Sequence, residues 1–155
     1  MRCNSIEIKA RNITFSNEKS FVLIGGINVI ENYESALFAA SHFKEVCSKL
    51  KINLVFKASY EKANRSCLKS YTGPGLKEGI KILARIKDEL NIPIITDVHL
   101  PDEALFASEV CEIIQLPAFL ARQTSLIKSM AKTNAVINIK KPQFSSPVSY
   151  THLTL

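Results

Sequence analysis

Short apolar runs alternate with longer stretches of helical period along this chain. The runs are Phe21-Val-Leu-Ile24, Leu54-Val-Phe56, Ile94-Ile-Thr96, Ile113-Ile-Gln-Leu116 and Val136-Ile-Asn-Ile139. Each is followed by a turn, and the stretches after the first four predict helices over 33–50, 76–90, 102–109 and 124–132. In the second of these, Leu76, Ile80, Leu83, Ile86 and Leu90 recur at steps of three or four, with lysines and acids on the opposite face. Asn91 and Pro93 stop that helix and open the next run. The runs are short and apolar rather than alternating, as expected of parallel strands covered on both faces. Repeated strand-then-helix units predict an α/β fold with a parallel sheet, closed as a barrel or doubly wound. Ahead of the first unit, Ile6-Glu-Ile8 and Ile13-Thr-Phe15 flank Lys9-Ala-Arg-Asn12 and predict a small β-hairpin, placed as a plug over the N-terminal end of a barrel.

No low-complexity segment or linker divides the chain, so residues 1–147 read as one domain portion. Five strands fall short of the eight of a barrel, which needs about 250 residues. The last stretch, Val-Ser-Tyr-Thr-His-Leu-Thr-Leu155, has no helical period and no stop signal. Residues 148–155 are therefore expected to be a non-native tail, and His152 is left out of the functional reading.

Composition narrows the class. Of 155 residues, 46% are hydrophobic and 22% charged, the balance of a globular protein with a real core. No stretch nears the roughly 18 apolar residues of a membrane helix. The segment MRCNSIEIKARN lacks the apolar centre of a signal peptide, so a cytoplasmic location is expected. Cys3, Cys47, Cys67 and Cys111 lack metal-ligand spacing and read as reduced thiols. The net charge of +6 favours anionic partners. The cations form no long run, and aromatic residues do not interleave with them, so neither nucleic acid nor membrane is the expected partner. Several instead follow apolar strands in short turns, which suits small anions.

Active sites of parallel α/β folds collect at the C-terminal strand ends. Those ends carry Gly25-Gly-Ile-Asn28, Lys57-Ala-Ser-Tyr-Glu-Lys62-Ala-Asn-Arg-Ser66, Asp97-Val-His99, Pro117-Ala-Phe-Leu-Ala-Arg122-Gln-Thr124 and Lys140-Lys-Pro-Gln143. Lys57, Lys62, Arg65, Arg122 and Lys140 are expected to converge on one rim. Such a group is favourable when it holds several negative charges, such as phosphates and a carboxylate. Asp97 and His99 read either as an acid/base or metal pair or as hydrogen-bonded strand-end residues, and the second reading is preferred. Gly73-Pro-Gly75 lacks phosphate-loop spacing and reads as the turn that opens the second helix.

At these strand ends the sequence resembles the 3-deoxy-D-manno-octulosonate 8-phosphate synthase family, a (β/α)8 TIM-barrel family. The resemblance is carried by Phe21–Glu31, Phe56–Ser66 with its KANRS motif, Ser70–Leu76, Ile95–His99, Ile114–Thr124 with QLPAFLARQT, and Val136–Phe144. It spans nearly all of residues 5–147 and implies a part-barrel of about five βα units. It also implies condensation of phosphoenolpyruvate with arabinose 5-phosphate, with Asn28, Lys62 and Lys140 in catalysis. Lys57 and Ser59 would face the phosphoenolpyruvate carboxylate, and Lys62 would lie between the substrates. Asn64, Arg65 and Ser66 would hold arabinose 5-phosphate. Gln115, the Ala118 amide and Lys140 would contact phosphoenolpyruvate. Arg122 would reach a neighbouring subunit's site in a homotetramer.

Metal-dependent members of this family carry cysteine where Asn28 stands, so the resemblance implies an enzyme with no metal and no other cofactor. The family pattern continues beyond residue 147, so this chain alone is expected to be inactive or to assemble abnormally. Two other readings remain open at this point. One is the related synthase using erythrose 4-phosphate, and the other is a non-catalytic phosphosugar-binding or assembly module.

Overall fold

The computed structural model describes residues 6–151. Cys3 and His152 lie outside the described residues. A two-stranded antiparallel hairpin, β1 (Ile8–Ala10) and β2 (Ile13–Phe15), precedes a five-stranded parallel sheet. Its strands are β3 (Val22–Gly26), β4 (Asn53–Lys57), β5 (Ile94–Asp97), β6 (Ile113–Leu116) and β7 (Val136–Ile139), hydrogen-bonded in chain order. The helices are α1 (Tyr33–Leu50), α2 (Leu76–Leu90), α3 (Pro101–Ser108), α4 (Thr124–Met130) and α5 (Pro147–Thr151). No helix among the described residues is long and apolar enough to cross a membrane.

Local chemistry sets the element ends. The Asn32 side chain accepts from Ser35 N at 2.8 Å and starts α1, and Lys51 ends it in the left-handed conformation, φ 56°. Asn91 ends α2 in the same way, φ 49°. α4 stops at Met130 rather than the expected 132. There the chain tightens into three-residue turns, with Lys132 N on Ser129 O and Thr133 N on Met130 O. α5 occupies part of the segment expected to lack helical structure. Its start was legible: Pro147 stands at the first helical position, and Ser146 Oγ accepts from Ser149 N at 3.1 Å.

The hairpin is shifted from its expected place. Its first strand is Ile8–Ala10, not 6–8, and the connection shrinks to Arg11-Asn12. Burial decides this, because Ala10 and Ile13 are the positions that pack inward while Ile6 and Ile8 stay exposed. Arg11 takes a left-handed φ of 54° and donates to Asn91 Oδ1 at 2.6 Å, tying the hairpin to the end of α2.

Residues two apart in a strand share a face. One face of the sheet, with Phe56, Ile94, Ile114 and Leu116, packs against α1 to α4 in the larger core. The other face begins apolar: Val22, Val55, Ile95, Ile113 and Val136 are covered by Ala10, Ile13 and Phe15 of the hairpin. One step further along, the same face turns polar, through Lys57, Asp97, Gln115 and Asn138. The runs read as apolar from sequence are thus apolar on the helix side, Thr96 apart. On the other face they change character halfway.

Candidate functional site

The polar half of that inner face is organised around one carboxylate. Asp97, at the end of β5, is 4% exposed. Its Oδ2 accepts from Lys62 Nζ at 2.6 Å, Ser59 Oγ at 2.7 Å and Lys57 Nζ at 3.3 Å. Its Oδ1 accepts from Gln115 Nε2. Gln115 in turn accepts from Asn138 Nδ2 at 2.7 Å, and Lys57 donates to Ser59 Oγ at 2.6 Å. Four strand ends are therefore joined through Asp97. A close approach at Gly26 allows the fifth to join the same rim. A Cβ there would stand 2.1 Å from the Lys57 carbonyl oxygen, so only glycine fits beside β4.

The electrostatics follow from burial and charge. Burial pushes the Lys57 ammonium down to about 8 from an ordinary 10.5, against the pull of Asp97, and the nearby Lys62 and Lys140 push the same way as burial. For Asp97, burial pushes the carboxyl up, but Lys57, then hydrogen bonds from Lys62 and Ser59, hold it well below the usual carboxylate range. Lys57 and Lys62 pair with Asp97, and these two lysines border a common hollow with Lys140. Among the described residues Lys140 is in no ion pair and is exposed. Its neighbour Lys141 is held by its own loop, donating to Pro142 O and Ser145 O at 2.9 Å.

A cleft of about 430 Å³ opens over this network. Lys62, Asn64, Asp97, His99, Gln115, Ala118 and Lys140 are among the residues that line it. Asn28, exposed just beyond β3, lines the adjoining hollow with Lys57, Lys62, Gln115 and Lys140. An amide is a weak metal ligand, and Cys47, Cys67 and Cys111 line neither space. Among the described residues no group of three or more His, Cys, Asp or Glu side chains is placed to hold a metal ion.

Of the five cations expected to converge, Lys57, Lys62 and Lys140 border these two spaces. Arg65 is exposed in the loop after β4, its Nε donating to Tyr71 O of the same loop at 3.0 Å, and Ser66 is exposed beside it. Arg122 is exposed after the 3-10 turn Ala118–Leu120 and donates to Ser149 Oγ at 3.2 Å. Neither arginine lines the cleft. Each has a hydrogen-bond acceptor outside it, in its own loop or on α5.

Beneath the cleft lies a second buried cluster that the sequence reading passed over. Glu103 of α3 is 8% exposed, and its Oε2 accepts from Tyr60 Oη at 2.8 Å, His99 N at 2.9 Å and Leu100 N at 3.0 Å. Tyr60 is fully buried, and its ring meets the His99 ring edge-on, with centroids 5.8 Å apart. Burial pushes the His99 imidazole below its ordinary range. Asp97 and His99 join the site although only the strand-end rule pointed to them, and Asn138, inside the fifth apolar run, had no such signal. Glu103 had a signal of its own, an acid two residues after the proline that opens a helix.

Residues 5–153 match the DAHP synthetase I family. The chain is similar to proteins named 2-dehydro-3-deoxyphosphooctonate aldolase from three organisms. That of Prochlorococcus marinus (strain MIT 9313) is 67% identical over 135 residues, 87% of this chain and 48% of that protein. That of Parasynechococcus marenigrum (strain WH8102) is 60% identical over 141 residues, 91% of this chain and 50% of that protein. That of Pseudoalteromonas translucida (strain TAC 125) is 55% identical over 150 residues, 97% of this chain and 53% of that protein. The chain spans about half the length of the curated relatives it matches.

Proposed function

Because the chain belongs to the DAHP synthetase I family, we propose that it supplies the substrate-holding rim of an enzyme that condenses phosphoenolpyruvate with D-arabinose 5-phosphate and water. The products are 3-deoxy-D-manno-octulosonate 8-phosphate and inorganic phosphate, a transferase step of Kdo supply for lipopolysaccharide. The observation that carries this reading is the cationic cleft at the strand ends, where Lys57, Lys62 and Lys140 outnumber Asp97. Such an excess suits ligands that bring phosphates and a carboxylate together.

In this reading the methylene carbon of phosphoenolpyruvate attacks the aldehyde, water adds to the other alkene carbon, and phosphate leaves by C–O cleavage. The protein's part is orientation and charge stabilisation. Lys57 and Ser59 face the carboxylate of phosphoenolpyruvate, and Gln115, the Ala118 amide and Lys140 complete its site. Lys62 stands between the substrates, and Asn64 takes the pentose phosphate, with Arg65 and Ser66 reaching it from the exposed loop after β4. The lysines that now share Asp97 are turned in part to the incoming anions. Asn28 supports a metal-independent reaction, since its amide stands at the strand end where metal-dependent relatives would carry a thiolate.

The sheet and hairpin support a (β/α)8 barrel as the parent architecture, with residues 1–147 its N-terminal portion. The exposure of Arg122, outside its own chain's cleft, supports its reaching the arabinose 5-phosphate site of a neighbour in a homotetramer. The enzyme is placed in the cytoplasm, with no nucleic-acid or membrane partner.

The test is phosphate release from phosphoenolpyruvate with arabinose 5-phosphate, on this chain and on one extended by its native C-terminal half. Turnover in the extended chain alone, undiminished by chelator and slower with erythrose 4-phosphate, is the expected result. No turnover in either folded chain would refute the reading.

A further inference from the structure

We infer that Glu103 is a positioning residue: through Tyr60 it couples the loop after β4 to the loop after β5, and so sets where Lys62 and His99 stand in the cleft. Helix capping alone does not account for this carboxylate. Capping needs the two amides of His99 and Leu100. It does not need a tyrosine hydroxyl 43 residues away in sequence, brought in at 2.8 Å. The other first-turn acid of α3, Asp102, is exposed, as a residue serving only the helix terminus can be.

Tyr60 is held from several sides. Its carbonyl accepts from Gly75 N at 3.1 Å, and Gly79 of α2 lies so close that a Cβ there would stand 2.3 Å from Tyr60 Cβ. Tyr60 is thus the last immobilised point before Lys62, whose own amide donates to Thr72 O at 2.7 Å. On the other side, Glu103 holds the His99 backbone while the Tyr60 ring abuts the imidazole. Among the described residues His99 Nδ1 is buried and has no hydrogen-bond partner. A proton on that nitrogen would be buried without an acceptor, which is costly. This favours the neutral tautomer with its proton on Nε2, on a ring that lines the cleft and is held by Glu103 and Tyr60. Burial of the ring acts in the same sense.

The kinetic part of this inference rests on the reaction proposed above, and its test has a part that does not. In the chain extended by its native C-terminal half, ¹⁵N-histidine NMR reads the His99 tautomer directly, with His99→Gln assigning the signal. The wild type is expected to show the Nε2–H form at pH 7. Glu103→Ala is expected to average the two tautomers and to lower kcat for phosphoenolpyruvate and arabinose 5-phosphate about tenfold or more, with KM changed less. Glu103→Gln keeps a carbonyl for the two amides and is expected to recover kcat to within about threefold. Tyr60→Phe removes one hydroxyl only, and should move both readouts in the same direction if Glu103→Ala does not fold. A wild-type enzyme without turnover would refute the reaction, while the His99 signals would still decide the coupling. Unchanged His99 signals in either folded variant overturn the inference, whatever the rates.

Discussion

Replacing Asp97 by asparagine removes one charge and keeps the shape of the side chain at the centre of the site. Two ammoniums lie 2.6 and 3.3 Å from its Oδ2. At an effective dielectric of about 20 they attract it by about 6 and about 5 kcal/mol before desolvation is subtracted. Measured losses on removing one partner of a buried pair are smaller, about 3–5 kcal/mol. The lysine side chains keep 16% and 14% of their surface and can rehydrate in part. The low end, about 3 kcal/mol, is therefore expected for Asp97→Asn at pH 7. The sign with pH can be worked through for each partner. The Asp97 carboxyl is lower in the folded chain than unfolded, so its contribution is complete above about pH 4 and is lost as pH falls through the folded value. The Lys57 ammonium, moved from 10.5 to about 8, is destabilised by about 3 kcal/mol in the folded state. That penalty is full below pH 8 and is relieved as pH rises to 10.5, where the unfolded chain holds the extra proton. Without Asp97 the lysine should drop below about 8, and the destabilisation of the variant should shrink in mild alkali. Denaturant unfolding across pH measures the first effect. The pH dependence of Lys57 acylation, read by mass spectrometry, measures the second. A variant within about 0.5 kcal/mol of wild type, with Lys57 still titrating at about 8, would refute Asp97 as the counter-ion.

Gly79→Ala adds a methyl 2.3 Å from Tyr60 Cβ; overpacking of about 1–3 kcal/mol should exceed the helix-propensity gain of about 1 kcal/mol, so thermal unfolding should fall rather than rise. Cys67 is exposed, while Cys111 is buried and its thiol is pushed up to about 12, so alkylation of the native chain should mark Cys67 and reach Cys47 and Cys111 only after unfolding. Peptide mapping that found Cys111 modified in the folded chain would refute its burial. Lys140→Met, at an exposed cation outside the ion pairs, should weaken phosphoenolpyruvate binding about tenfold or more by calorimetry in the extended chain while leaving unfolding within about 0.5 kcal/mol.

Helix placement was open to reading wherever a local device fixed it. α1 and α2 occupy the stretches expected of them because Asn32, Lys51, Gly75 and Asn91 act on their own neighbours. The strand-end rule pointed to Lys57, Lys62 and Lys140, since parallel strands all finish on the same side, and Gln115 entered through the resemblance. What each side chain does there depends on loops meeting in space. Arg65 and Arg122 look equivalent to the lysines on the page, yet each is drawn to an acceptor outside the cleft. Asp97 looked like one polar strand end among several, and its role arises only when lysines 35 and 40 positions away reach the same oxygen. Glu103 could be read as a capping acid after Pro101 and Tyr60 as one residue of a polar loop, but nothing local shows that the hydroxyl of one meets the carboxylate of the other 43 residues on.

The change from apolar to polar along the inner face has a meaning for how the strands find one another. In a parallel sheet a slip of one residue turns every side chain to the opposite face. For β5 such a slip would drive Asp97 in among Phe56, Ile114 and the helix-side core, and leave Lys57 and Lys62 facing Thr96. An ion stranded in that core is penalised far more than a misplaced isoleucine. The charges at the strand ends therefore act as alignment marks, rejecting near-miss pairings that the interchangeable isoleucines of these strands would tolerate. The groups that make the cleft useful to an anion also proofread the sheet that carries them.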